Sequence, residues 1–184
     1  VTGAFVEGKL AARSAAAYAD SLADFEHNSL VEKDIVAQVE QLLTNDNAEA
    51  SPFSTEDLEE AMQQVMDEYA GGISTGYRYT ESQLDIASKH IARLTKLSHG
   101  LRGKDNYQLL KIFELQERLL ICRVLIAHLQ ARKETRWHSF AENLDYPAKN
   151  AAFEGYINSR LEQGNIKIIQ RPLVGRGEQY EHQH

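Results

Sequence analysis

The chain has 184 residues, 42% of them hydrophobic and 26% charged, which is enough for one domain with an appendage and for a real core. Three Pro and 11 Gly exclude collagen-like and linker-like chains. One Cys excludes an internal disulfide framework, and any multi-cysteine zinc or iron–sulfur site made by this chain alone.

A lone Cys also fits a reducing compartment. Residues 1–20 lack the basic start and compact apolar segment of a secretion signal. No apolar run approaches the ~20 residues of a membrane span. The expected location is therefore cytoplasmic, with no direct membrane insertion. The net charge of −7 is unevenly spread: residues 31–70 hold 11 acids and one base, whereas residues 89–136 hold 11 bases and four acids. Such a split reads as ordinary solvated helix faces, as two halves that face each other, or as a surface for a charged partner.

In chain order, residues 4–23 are alanine-rich and free of Pro, a strong helix composition. Small residues on every face let this helix sit close to neighbours, as one internal to something larger would. Val31, Ile35, Val39, Leu42 and Leu43 repeat at helical spacing and predict a helix from about Leu30 to Leu43. A polar loop over residues 44–53 follows. Ser54 and Asp57 then form an S-x-x-D start, and Leu58, Ala61, Met62, Val65, Met66 and Tyr69 make one apolar stripe that ends at Gly71-Gly72. Thr80 and Gln83 open the next helix, with Leu84, Ala87, Ile91, Leu94 and Leu97 facing inward.

The longest helix is expected from about Asp105 to Arg132. Its middle, Leu119 to Ile126, is apolar on nearly every side, which predicts a central position with neighbours all round. Cys122 lies in that run and reads as a small buried hydrophobe. Asp145-Tyr146-Pro147 breaks the helical pattern. Phe153–Leu161 and Ile166–Arg171, around Glu162-Gln163-Gly164-Asn165, read as a hairpin, with a short helix over 150–161 as the competing reading of the first segment. The tail from residue 175 is polar and expected to be flexible.

Motifs of self-sufficient catalysis are missing. Gly3 to Leu10 matches G-x-x-x-x-G-K but places Leu10 where a magnesium-binding hydroxyl belongs. Glu181-x-x-His184 is the only such pair, whereas a di-iron bundle needs them on facing helices. No catalytic residue and no metal ligand is assigned, and tail binding by His182 and His184 reads as incidental. Arg132-Lys133-Glu134-Thr135-Arg136-Trp137-His138 is the unusual stretch. Cations suit a helix C-terminus, while Arg beside the only Trp suits stacking and bidentate grip on carboxylates or phosphates. Chemistry alone leaves packing and a docking surface equally open. Nucleic acid is not an expected partner, because the basic stretch has few interleaved aromatics and the whole chain is acidic.

Met66-Asp67-Glu68-Tyr69-Ala70-Gly71-Gly72-Ile73, the helix from Leu84 to Leu94, Ala131 to Trp137, and Asp145-Tyr146-Pro147 form an ordered series. It resembles the C-terminal part of the succinate dehydrogenase/fumarate reductase flavoprotein family, where a helix ending in Arg-Lys/Arg-Glu-Ser/Thr-Arg is followed by Asp-Tyr-Pro and a hairpin. Glu68 to Gly72 and Thr135-Arg136-Trp137 resemble the adenylylsulfate reductase branch. His138 stands where the fumarate reductase branch usually has Gly.

That resemblance implies a mainly α fold. A bundle of three to four helices in a spectrin-repeat-like arrangement would carry an N-terminal leftover helix and a small C-terminal antiparallel β-hairpin. It divides the chain into 1–27, the last helix of a missing FAD-binding domain; 28–147, the bundle; 148–174, the hairpin; and 175–184, the tail. It implies FAD in the parent protein and none in this fragment, with the backbone of Ala4 and Phe5 near the flavin. It implies two partners, the flavin domain and an iron–sulfur subunit, met at an interface of Arg132, Glu134, Arg136, Trp137 and His138. The family's FAD fingerprint and substrate-binding residues lie upstream of the matched region, so the chain is expected to be a C-terminal piece, inactive alone. The alternative is a free-standing helical interaction module without redox activity.

Overall fold

The computed structural model describes residues 2–22, 29–43 and 51–173. The expectations for residues 44–50, for the tail from 175 and for His182 and His184 lie outside them. The chain divides into two units, Val1–Glu40 and Gln41–His184.

The first unit is helical, as its alanine content dictates. Helix α1 runs Thr2–Ser21, and α2 runs Ser29–Leu42, its last two residues belonging to the second unit. Phe5, Val6, Leu10 and Tyr18 of α1 are all more than half exposed.

Three helices make the bundle of the second unit: α3 (Thr55–Tyr69), α4 (Glu81–Ser98) and α5 (Asn106–Ala131). Each has a side-chain N-cap, and the caps of α3 and α4 are the ones the sequence predicts. Ser54 and Asp57 form a reciprocal capping box on α3, Thr80 and Gln83 one on α4, and Asp105 caps α5 through the Gln108 amide. Helix α3 ends in a left-handed Gly71, φ 78°, and the Gly72 amide reaches back to Asp67 O at 3.1 Å. This is the six-to-one bond of a Schellman turn. The core is the inward face of all three helices: Leu58 and Met62, then Leu84, Ala87 and Ile91, then Ile112, Leu115, Leu119 and Ile126.

The expectation that α5 has neighbours all round is corrected. Leu119 is fully buried, but Ile121 is 64% and Leu125 47% exposed. Helices α3 and α4 cover one side of α5 and the hairpin another, which leaves the strip through residues 121 and 125 open. Apolarity records what a face can bury, and this chain alone does not bury that strip. Cys122 is half-buried, and burial pushes its thiol pKa up, as suits a small hydrophobe.

A parallel pair that the sequence did not announce joins β1 (Arg78–Tyr79) to β2 (Glu142–Asn143). The hairpin is β3 (Gly155–Glu162) against β4 (Asn165–Pro172), with Glu162 opposite Asn165. Its two-residue turn, Gln163-Gly164, has φ of 48° and 79°, positive at both positions as a type I′ turn requires. The competing helix shrinks to one 3-10 turn, Ala151–Phe153. Arg123 Nη2 donates to Gly164 O at 2.6 Å and ties the turn to α5.

Candidate functional site

The stretch at the exit of α5 leaves the helix in extended form, since Arg132, the C-cap, has φ −94° and ψ 98°. The side chains after it therefore divide between inside and outside. The Glu134 side chain is fully buried, Thr135 is 1% exposed, and Trp137 stands 70% exposed.

Glu134 organises the inner layer. Its Oε1 accepts from Arg132 Nη1 and from Arg136 Nε, both at 2.5 Å, and its Oε2 accepts from the Asn150 amide at 2.9 Å. Burial alone would raise the Glu134 pKa. The Asn150 amide and the guanidiniums of Arg136 and Arg132 outweigh it and hold the carboxyl below its ordinary value. The two guanidiniums, fixed from one side by this carboxylate, turn their other edges to the 3-10 turn and the start of the hairpin. Arg136 Nη2 donates to Phe153 O at 3.0 Å, and Arg132 Nη2 to Gly155 O at 3.4 Å.

Thr135 organises the neighbouring loop. Its hydroxyl donates to Tyr146 O at 2.9 Å and accepts from the Asn143 amide at 3.0 Å. Asn143, fully buried, donates through Nδ2 to Glu81 Oε1 at 2.9 Å. Lys133 pairs with the same Glu81 and lies 5.5 Å from the Tyr146 ring centroid. Asp145 Oδ2 accepts from the Glu81 amide at 2.7 Å. The Asp145-Tyr146-Pro147 breaker thus latches onto the start of α4, with its carboxylate at the positive end of that helix.

The outer layer is Trp137, Phe140 and His138. Phe140 is 72% exposed, and His138 Nδ1 lies 3.2 Å from Glu142 Oε1. The structure therefore brings Arg132, Glu134 and Arg136 into one cluster and presents Trp137 and His138 outward beside it. Ala4 and Phe5 fall in the first turn of α1, where Phe5 is 77% exposed. Among the described residues no group of three His, Cys, Asp or Glu is placed to hold a metal ion. No helix of the described residues is long and apolar enough to cross a membrane.

Sequence reasoning missed Thr135, Asn143, Glu81 and Asn150 as members of this cluster. Asn150 was findable, since Asn accepting from an amide two residues on is a common start to a short turn, and its side chain does so with Ala152 at 3.0 Å. Asn143 and Glu81 lie 62 residues apart in the chain, and no local pattern links them.

No known family profile matches the chain. The adenylylsulfate reductase alpha subunit of Megalodesulfovibrio gigas is 28% identical over 109 residues, 58% of this chain and 16% of that protein. The adenylylsulfate reductase structure from Archaeoglobus fulgidus superposes with a TM-score of 0.81 at 25% identity, over 96% of this chain and 30% of that one. A quinol fumarate reductase chain from E. coli gives 0.66 at 16% identity, over 84% and 27%. The fold is thus that of a segment shared by these reductases, and the chain spans less than a third of the length of each.

Proposed function

We propose that this chain, whose fold and part of whose sequence resemble the adenylylsulfate reductase alpha subunit and the succinate dehydrogenase/fumarate reductase flavoproteins, is the C-terminal domain of a subunit of that type. In this reading the whole protein is an FAD-dependent cytoplasmic oxidoreductase. The flavin belongs to a separate domain, of which α1 is the last helix, with Ala4 and Phe5 at its cofactor-facing turn. Flavin supplies the electron chemistry, and the protein positions it. The present domain braces the flavin domain and docks an iron–sulfur partner that exchanges electrons with it.

The observation that carries the reading is the superposition over 96% of the chain at a TM-score of 0.81. The exit of α5 supports the docking part. Its inner layer is locked by Glu134 and Thr135, so Trp137 and His138 stand on a rigid base. An exposed Trp beside Arg has the composition of an interface hot spot.

The test is co-purification. The chain, joined to its genomic upstream coding sequence, is expressed with the neighbouring iron–sulfur subunit. Trp137→Ala is expected to lower recovery of that subunit by about tenfold, equivalent to about 1.4 kcal/mol of binding, with flavin content unchanged. Undiminished recovery would remove Trp137 from the interface. An upstream sequence without a Gly-x-Gly-x-x-Gly fingerprint would favour the free-standing helical module instead.

A further inference from the structure

Between the end of α5, the first strand of the hairpin and residues 136–141 lies a pocket of about 420 Å³, within the size range of small-molecule sites. Its polar side is the Arg132–Glu134–Arg136 cluster, and its apolar side includes Leu129, Ile157 and the Trp137 indole. We propose that this pocket is a binding site for a carboxylate attached to an apolar, preferably aromatic, body.

Three observations carry it. The first is charge. Two guanidiniums line the pocket against one carboxylate, so the lining has a surplus of one positive charge. Lys133 does not add to it, being held by Glu81. One incoming carboxylate makes the site neutral. The second is donor geometry. Glu134 and the Phe153 and Gly155 carbonyls fix both guanidiniums, yet Arg136 Nη1 has no hydrogen bond among the described residues, and the Arg136 side chain remains 34% exposed. A guanidinium held this way is preorganised for a carboxylate at little cost in side-chain entropy. The third is His128, which also lines the pocket and whose Nε2 is buried with no hydrogen-bond partner among the described residues. A buried polar atom without a protein partner is rare in folded proteins, and this one offers a hydrogen bond to a group entering the pocket. Trp137 supplies the flat apolar wall that selects an aromatic body over a bare anion.

The site shares Trp137 and the Arg132–Glu134–Arg136 cluster with the subunit-docking reading, but its ligand binding needs only the residues of this chain. Its test uses the intact chain and the emission of Trp137, the only tryptophan. N-acetylphenylalanine, which has the carboxylate, is titrated against N-acetylphenylalaninamide, which lacks it. The acid is expected to give a saturable change with a dissociation constant on the order of 1 mM, and the amide to bind at least about tenfold more weakly. Arg136→Gln is expected to weaken the acid by at least about tenfold. Ala141→Leu, which adds bulk to the lining and leaves the ion pairs alone, is expected to weaken both ligands.

A melting curve accompanies each variant. If Arg136→Gln does not fold, Ala141→Leu and the acid–amide comparison decide. Equal binding of acid and amide, no saturable change with either, or unaltered binding in Ala141→Leu overturns the proposal. A decapeptide ending in a free phenylalanine carboxyl separates two sources of the same chemistry. A gain of about tenfold over the single amino acid identifies a polypeptide terminus as the occupant, whereas equal affinity identifies a small carboxylic acid. Loss of subunit recovery with intact carboxylate binding, or the reverse, tells the failure of one reading from the failure of the other.

Discussion

Glu134 is the residue on which most of the α5 exit depends. It pairs with two guanidiniums and receives one backbone amide from a position where its side chain has no exposure. Replacing it by Gln keeps the shape and removes the charge, so both Arg side chains lose their counter-ion. The expected cost is about 2–3 kcal/mol near neutral pH, less than for a fully buried pair because both Arg side chains are partly solvated. The pH dependence follows from the direction of the shift. The folded pKa lies below the ordinary 4.5, so this stability is fully present above about that pH and is lost as pH falls through the folded value. Glu134→Gln should therefore be less stable than the parent chain near neutrality, and the difference should shrink in acid. Denaturant unfolding at about pH 7 and about pH 3.5 checks both halves of the statement. An equal difference at the two pH values would mean that Glu134 acts through shape rather than charge.

The elements differ in how much of them the sequence disclosed. Helix starts were legible because capping is a local contract between residues three apart, as at Ser54–Asp57 and Thr80–Gln83. The hairpin was legible for the same reason, since its turn needs positive φ at two adjacent positions and Gly164 supplies one. The pairing of Arg78–Tyr79 with Glu142–Asn143 was not legible. Two residues show no periodicity, and their partners are distant in the chain. Burial on α5 was half legible, because composition marks apolar residues without saying which of them this chain covers. By thermal melting, Leu119→Ala should cost about 2–5 kcal/mol, for Leu119 is fully buried. Leu120→Ala, at a half-buried neighbour, should cost distinctly less, about 1–2 kcal/mol. Equal shifts would put both on one buried face. Gly72→Ala should cost about 1–3 kcal/mol. Its φ of −79° suits any residue, but a Cβ there would meet the Asp67 backbone, with Asp67 O at 2.8 Å. A melting temperature unchanged from the parent would show that the α3 exit can open to admit it.

At the scale of the whole molecule, the uneven charge finds part of its explanation inside the bundle. Acidic α3 meets basic α5 through Glu56–Lys111 at 3.1 Å and through Glu59–Arg118. These pairs are partly or largely exposed, and they orient the helices more than they stabilise them. The buried leucines and isoleucines hold the bundle. The candidate site was half legible too. Arg132, Glu134, Arg136 and Trp137 drew notice by type, but the inward turn of Glu134 and Thr135 came from an extended backbone that helix periodicity does not foresee. The flavin reading carries an expectation for the chain as purified. Ala4 and Phe5 sit on one turn of an exposed helix, which cannot enclose a dinucleotide, so the preparation should be colourless. Stoichiometric flavin absorbance in the purified protein would show that this chain encloses its own cofactor site.

The short parallel pair sets an order of events in folding. The Glu142 and Leu144 amides bond to Tyr77 O and Tyr79 O at 2.9 Å, and the Asp145 carboxylate meets the Glu81 amide 64 residues away. Everything between those points, α4 and α5 included, lies inside the loop they close. Helices and their antiparallel packing form from near neighbours and form early, whereas a contact across so long a loop gains nothing until its ends have been brought together. The clasp is therefore a late step, made on a bundle already assembled. Once made, it is held by the strand pair, by the Asp145 carboxylate and by the buried Thr135 and Asn143 side chains. The surface resting on that clasp, with Trp137 at its edge, therefore takes its final shape only after the bundle beneath it has folded.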